Sequence, residues 1–218
     1  MSEHVLKFRG DDGPTLGAVL TELKRTGCAI MLTGESRVAR EAISQRLFGS
    51  PAVERHRVLV TPNGDYPTEP WLPNGVARDA VEAVSLSSGE RSVATARPQQ
   101  DDLDRRLRDL DTAISLGPGE FDPGVLRVGV HTADALAETY GREAALSFLS
   151  STFERVRDRR GMAHVHLDGS TSDPLFGHVE PLVDAIVEAR VPKSRRPEQR
   201  WYIPEYGYTN WVLISPGH

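Results

Sequence analysis

Leu16, Val19, Leu20 and Leu23 recur one helical turn apart, which predicts an amphipathic helix that Gly27 stops. The next run, CAIMLTG (28–34), is apolar throughout and reads as a buried strand ending in a turn. Val38, Ala39, Ala42, Ile43 and Leu47 then resume helical spacing, closing near Gly49, Ser50 and Pro51, and HRVLVT (56–61) is a second buried strand. Pro62 to Gly75 holds four prolines and two glycines without a period, so regular backbone hydrogen bonding cannot cross it. AVEAVSL (80–86) and RSVATA (91–96) flank the turn residues SSGE and predict two short strands.

The same alternation continues. Leu103, Leu107, Leu110 and Ile114 mark a helix ended by GPGEFDPG, and VLRVGV (125–130) is a third buried strand. A short helix from Asp134 to Tyr140 breaks at Gly141; a longer one carries Ala145, Phe148, Leu149, Thr152, Phe153 and Val156 and stops at Gly161. MAHVHL (162–167) is a strand, HVEPLVDA (178–185) a short helix and IVEAR (186–190) another strand, while RWYIPEY and NWVLIS suggest a closing pair of strands. Apolar strands alternating with amphipathic helices define an α/β domain, a mainly parallel sheet with helices on both faces and an antiparallel C-terminal edge. No internal repeat or composition shift divides residues 1–218, and the core is expected over about residues 14–214.

Composition adjusts this picture only in part. A hydrophobic share of 39% with 26% charged residues is ordinary for a globular chain of 218 residues. The absence of a long apolar run or a signal-like N-terminus leads to the expectation of a cytoplasmic protein without a membrane span. A net charge of −5 offers no general attraction for nucleic acid or anionic lipid. Only Lys7, Lys24 and Lys193 are lysine among 26 basic residues, an arginine bias that fits a high-GC genome and, with 31 acidic residues, a halophilic source. The single cysteine, Cys28, lies within an apolar strand and reads as a small buried hydrophobe.

The stretch GESRVARE (34–41) stands between a buried strand and a helix, where a nucleotide-binding chain keeps its phosphate loop. Such a loop needs G-x-x-x-x-G-K-[ST], because glycines let backbone N–H groups close around phosphate, lysine neutralises it and the hydroxyl holds magnesium. Here Gly34 is followed at the last three positions by Ala39, Arg40 and Glu41, so the context fits and the chemistry does not. Two readings stay open: a glycine turn with a solvated arginine on the following helix, or a residual anion site formed by Gly34, Ser36, Arg37 and Arg40.

CAIMLTGESRVAREAI, RVGVHTADAL, ALSFLSSTFERVRDRRG, MAHVHL and LVDAIVEAR follow one another in an order and spacing that resembles the RecA/KaiC-like P-loop ATPases, over most of residues 14–214. More specifically, the chain resembles haloarchaeal proteins of degenerate RecA/KaiC-like fold, a group of unknown function sometimes described as transducer-like. The resemblance implies a three-layer RecA-like fold. It also implies a site that has lost its chemistry: the Walker B aspartate falls on His131 with Thr132 beside it, and the catalytic glutamate position meets Pro62 and Asn63. A neutral imidazole cannot replace the carboxylate that orients magnesium's water.

Other groupings carry two readings each. His164 and His166, two apart on one strand, share a face, and His131 ends a strand that neighbours it in the resembled fold. With Asp168 they are candidate ligands for a divalent metal, or else ordinary polar residues at strand ends facing solvent. Lys193, Arg195, Arg196 and Arg200 surround two prolines as a solvated loop or a contact for phosphate or an acidic protein. FERVRDRRG reads as a charged helix end whose arginines complement the helix dipole. Trp71, Trp201, Trp211, Tyr202, Tyr206 and Tyr208 mark either a protein interface or the cap of the sheet edge. No nucleophile elbow exists. The expectation is a non-catalytic RecA/KaiC-like domain without a cofactor, regulatory or signalling through a protein partner and open to homo-oligomerisation. The alternatives are a nucleotide or anion sensor at Gly34 to Arg40, and a metal-dependent enzyme on His131, His164 and His166.

Overall fold

Buried apolar runs set the strands of a single sheet in a computed structural model that describes residues 8, 14–86, 100–193 and 196–214. The strand expected at 91–96, its turn at 87–90 and Arg195 lie outside the described residues. Six strands are parallel: β1 (Cys28–Thr33), β2 (His56–Thr61), β3 (Val81–Ser85), β4 (Leu126–Val130), β5 (Met162–His166) and β6 (Ala185–Arg190). Three antiparallel strands, β7 (Glu198–Ile203), β8 (Gly207–Tyr208) and β9 (Val212–Leu213), complete the sheet. The order is β3-β2-β4-β5-β1-β6-β7-β8, with β9 also paired to β7. The closing pair expected from the sequence is thus a set of three, since β8 folds back on β7 after a turn too short to leave an apolar signature.

Helices cover both faces. Alternate side chains of a strand point to opposite faces, so Val58, Val60, Val128, Val130, Ala163 and Val165 meet α3 (Gln100–Ser115), α4 (Ala133–Tyr140), α5 (Arg142–Asp158) and α6 (Phe176–Val179). On the other face Cys28, Ile30, Leu32, Ala185 and Val187 meet α1 (Leu16–Thr26) and α2 (Arg37–Phe48). Burial pushes the Cys28 thiol up to about 12, which keeps it protonated and inert. No helix among the described residues is long and apolar enough to cross a membrane.

The inward face of α2 differs from the expected stripe by one position. Ala39, Ile43 and Leu47 face inward as expected, whereas Val38 is 65% exposed. Arg40, Ser44 and Phe48 take the remaining inward positions and are buried. The carbonyls at the C-terminal end of α2 receive two buried guanidinium groups. Arg57 donates to Phe48 O, Gly49 O and Ser50 O, and Arg127 donates to Leu47 O. Cations at this end also complement the helix dipole.

The charged end of α5 does more than complement its dipole. Arg155 reaches Asp111 of α3, and Arg157 reaches Asp184 at the entry to β6.

Candidate functional site

The loop after β1 and the C-terminal ends of β4 and β5 carry Gly34, Ser36, Arg37 and Arg40, the candidate anion residues, and His131, His164 and His166, the candidate metal ligands. In open parallel sheets ligands bind outside these strand ends. Two neighbouring regions result.

The first is the loop from β1 to α2. Gly34 has φ of 134°, and its N–H donates to Gly169 O at 2.6 Å. A Cβ on Gly34 would lie 2.0 Å from Ala189 O of β6, so only glycine lets the two backbones approach this closely. Ser36 caps α2, accepting from Ala39 N–H at 3.3 Å. Arg37 donates to Glu41 at 2.8 Å. Arg40, expected in solvent or against an anion, is instead buried and turns back to donate to Gly34 O and to the Asp168 carboxylate. Its place on the inward face of α2 explains the difference.

A cavity of about 410 Å³ opens beside this loop, lined by Thr33, Ser36, Glu35, Glu188, Arg190 and Trp211. Two carboxylates face it, and Arg190 is already paired with Glu198 at 2.7 Å. The residues do not fit a magnesium nucleotide: the Gly34 amide is occupied, Arg37 and Arg40 are paired with carboxylates, and the carboxylate of Glu41 stands where the G-x-x-x-x-G-K-[ST] pattern needs a hydroxyl. Thr132, next to His131, caps α4 by accepting from Ala135 N–H.

The second region lies on the α2 face, between the ends of β4 and β5. Residues 129 and 164 are register partners across β4 and β5, so His131, two residues past Gly129, comes level with His166. Their ring centroids are 4.0 Å apart, and His164 lies 5.4 Å from His166. One potential ligand atom from each of the three lies within 4.8 Å of the others. All three are buried, which corrects the expectation of solvent-facing strand ends; both faces of this central strand are covered. Asp168, expected with them, is 54% exposed at its side chain and belongs to Arg40 instead.

Trp71 roofs the histidines, with ring centroids 4.3 Å from His131 and 4.5 Å from His166. It sits in a short 3-10 turn, Glu69–Trp71, of the proline-rich loop, and Gln45 of α2 holds that turn through Pro70 O at 2.9 Å. Underneath, Phe48 meets His164 edge-on at 4.7 Å. A Cβ at Gly129 would lie 2.5 Å from the Phe48 ring and 3.0 Å from His164, so glycine makes room for both. Ser44 Oγ lies 3.0 Å from His164 Nε2, whereas both ring nitrogens of His131 and of His166, and Trp71 Nε1, have no protein partner.

Burial holds all three imidazoles well below their ordinary pKa, His164 at about 3, with His131 also lowered by His164 and by Arg40. They are neutral at physiological pH and present lone pairs. Trp71 was legible as an aromatic but not as their roof, because the proline-rich loop gives no period from which to place it.

The aromatic and arginine residues near the C-terminus form the antiparallel edge. Trp201 is buried, the Tyr202 and Tyr208 rings meet at a 40° tilt with centroids 4.7 Å apart, and Arg190 lies 3.8 Å from the centre of the Trp211 ring. Arg200, expected in a solvated loop, belongs to β7, pairs with Glu188 at 2.8 Å and also covers Tyr208 and Trp211. They cap the sheet edge, while Tyr206, Leu213 and Val191 remain exposed there.

Fold and site together define a three-layer α/β protein of Rossmann-like build, with its polar chemistry gathered at the C-terminal ends of parallel strands. Residues 27–189 match the profile of DUF7504, a family of unknown function, and the chain belongs to that family. No curated protein matches it.

Proposed function

We propose that the chain is a non-catalytic RecA/KaiC-like domain of the cytoplasm that acts in regulation or signalling through protein contacts. The observation that carries this reading is the internal occupation of the phosphate corner. Gly34 N–H, Ser36 Oγ, Arg37 and Arg40 all meet partners in the same chain. The central place of β1, between β5 and β6, and the helix that follows its loop support the RecA-like part of the reading. Exposed Val191, Tyr206 and Leu213 along the antiparallel edge support contact with a protein, a second copy of the chain included.

The test is thermal shift and calorimetry with ATP, ADP and GTP, with and without magnesium. A ligand that binds only the folded chain must raise its stability. The expected result is no shift at millimolar nucleotide. A shift that Arg37→Ala removes would make the loop a working anion site and overturn the proposal; Arg37 is exposed enough for that variant to fold.

A further inference from the structure

Unpartnered polar atoms in a protein interior are few and each has a cause. Here His131 and His166 contribute four of them in rings that touch, and Trp71 Nε1 adds a fifth directly above. Leaving so many donors and acceptors unmet in one pocket is costly unless something absent from the bare chain meets them.

We propose that His131, His164 and His166 bind a divalent transition-metal ion, zinc foremost, in a buried three-imidazole site at the ends of β4 and β5. The donor set is the right kind: neutral imidazole suits zinc, copper, iron and nickel, and three protein nitrogens with one open position is an established zinc arrangement. The dimensions are close. Zinc–nitrogen bonds of about 2.0–2.1 Å place tetrahedral ligand atoms about 3.3 Å apart, and the three candidate atoms already lie within 4.8 Å of one another. Binding would draw the three rings together across that difference.

The surroundings complete the argument. Two ligands stand on one central strand and the third just past its neighbour, so the backbone presets their spacing. Ser44 Oγ hydrogen-bonds His164 Nε2 and fixes that ring, as a partner outside the ligand shell commonly does. Arg37 and Arg40 lie on the same side and would oppose a cation, but Glu41 and Asp168 pair with them. A water or hydroxide would supply the fourth ligand, as in other three-imidazole zinc sites. The rival occupant is water alone, which can also satisfy buried nitrogens.

The experiment loads the untagged full chain with zinc, removes excess by gel filtration and measures bound metal by mass spectrometry. Cobalt is then substituted and its visible spectrum recorded. Expected are one equivalent of metal, an intense four-coordinate cobalt spectrum and a melting temperature that falls when a chelator is added. His131→Phe and His166→Phe, which keep a ring in place, should each abolish the equivalent and the spectrum. A wild-type chain that takes up no metal would mean a water-filled pocket and overturn the proposal. So would metal retained by the double variant, or an octahedral, weakly absorbing cobalt spectrum. The cobalt measurement on the wild-type chain decides the matter even where a variant does not fold.

Discussion

The phosphate corner and the histidine pocket lie side by side at one end of the sheet and treat their polar groups in opposite ways. In the corner, where the sequence has the context of a phosphate loop, each candidate contact is spent within the chain: an amide on Gly169, a hydroxyl on the helix it caps, two guanidinium groups on Glu41, Asp168 and Gly34. In the pocket, ring nitrogens are left without any protein partner. The first region is finished by folding alone, and the second is not. Retained sequence context is therefore a poor guide to a working site, and unmet hydrogen-bonding capacity a better one.

The largest test of this contrast is acid. The histidines have folded pKa values below their unfolded value of about 6.5. Below that value the unfolded chain binds more protons than the folded one, so stability is complete above about pH 6.5 and declines as the pH falls toward the folded values. Each imidazole removes about 1.4 kcal/mol per pH unit in that window. Denaturant titrations of chelator-treated protein from neutral pH down to about 5 should show this slope, and the His131→Phe/His166→Phe variant should flatten it. An unchanged slope would place the acid sensitivity elsewhere.

The next effect belongs to the corner. Gly34→Ala forces a methyl group into Ala189 O and a side chain into a left-handed backbone, and it should cost about 3 kcal/mol or more. Equilibrium denaturation measures it, and a near-neutral result would mean that the loop and β6 are looser than described. The smallest effect is expected in the metal-free pocket at neutral pH. Replacing both His131 and His166 by phenylalanine removes unmet groups while keeping volume, so stability should change by less than about 1 kcal/mol or rise. A loss of several kcal/mol would show that these nitrogens already have partners, water among them.

Much of the fold was legible because its signals are local. β2 coincides with HRVLVT, and the glycine stops at Gly27 and Gly141 end α1 and α4. Arg40 and the histidines were harder for one shared reason: their burial is decided by what covers them. A charged residue beside an apolar stripe reads as solvated until the helix phase is known, and the histidines of MAHVHL read equally well as polar residues at a strand end facing solvent. The available signal was indirect. A central strand of a sheet covered on both faces has no wet side, so its alternate polar residues must be buried. Nothing local announces that Trp71 closes the pocket, since that contact joins a proline-rich loop to strands more than fifty residues away.

The two arginines under the end of α2 have a consequence for motion. Arg57 and Arg127 hold its last carbonyls from β2 and β4, and Arg40 ties its first turn to Gly34 and Asp168. Helices ordinarily fray from their ends, where carbonyls and amides lack partners. With charged bonds at both termini, the amide protons of α2 should exchange with solvent only when the whole domain opens. The helix that follows the β1–α2 loop is then a fixed beam, which leaves conformational change in this domain to the exposed loops and the antiparallel edge.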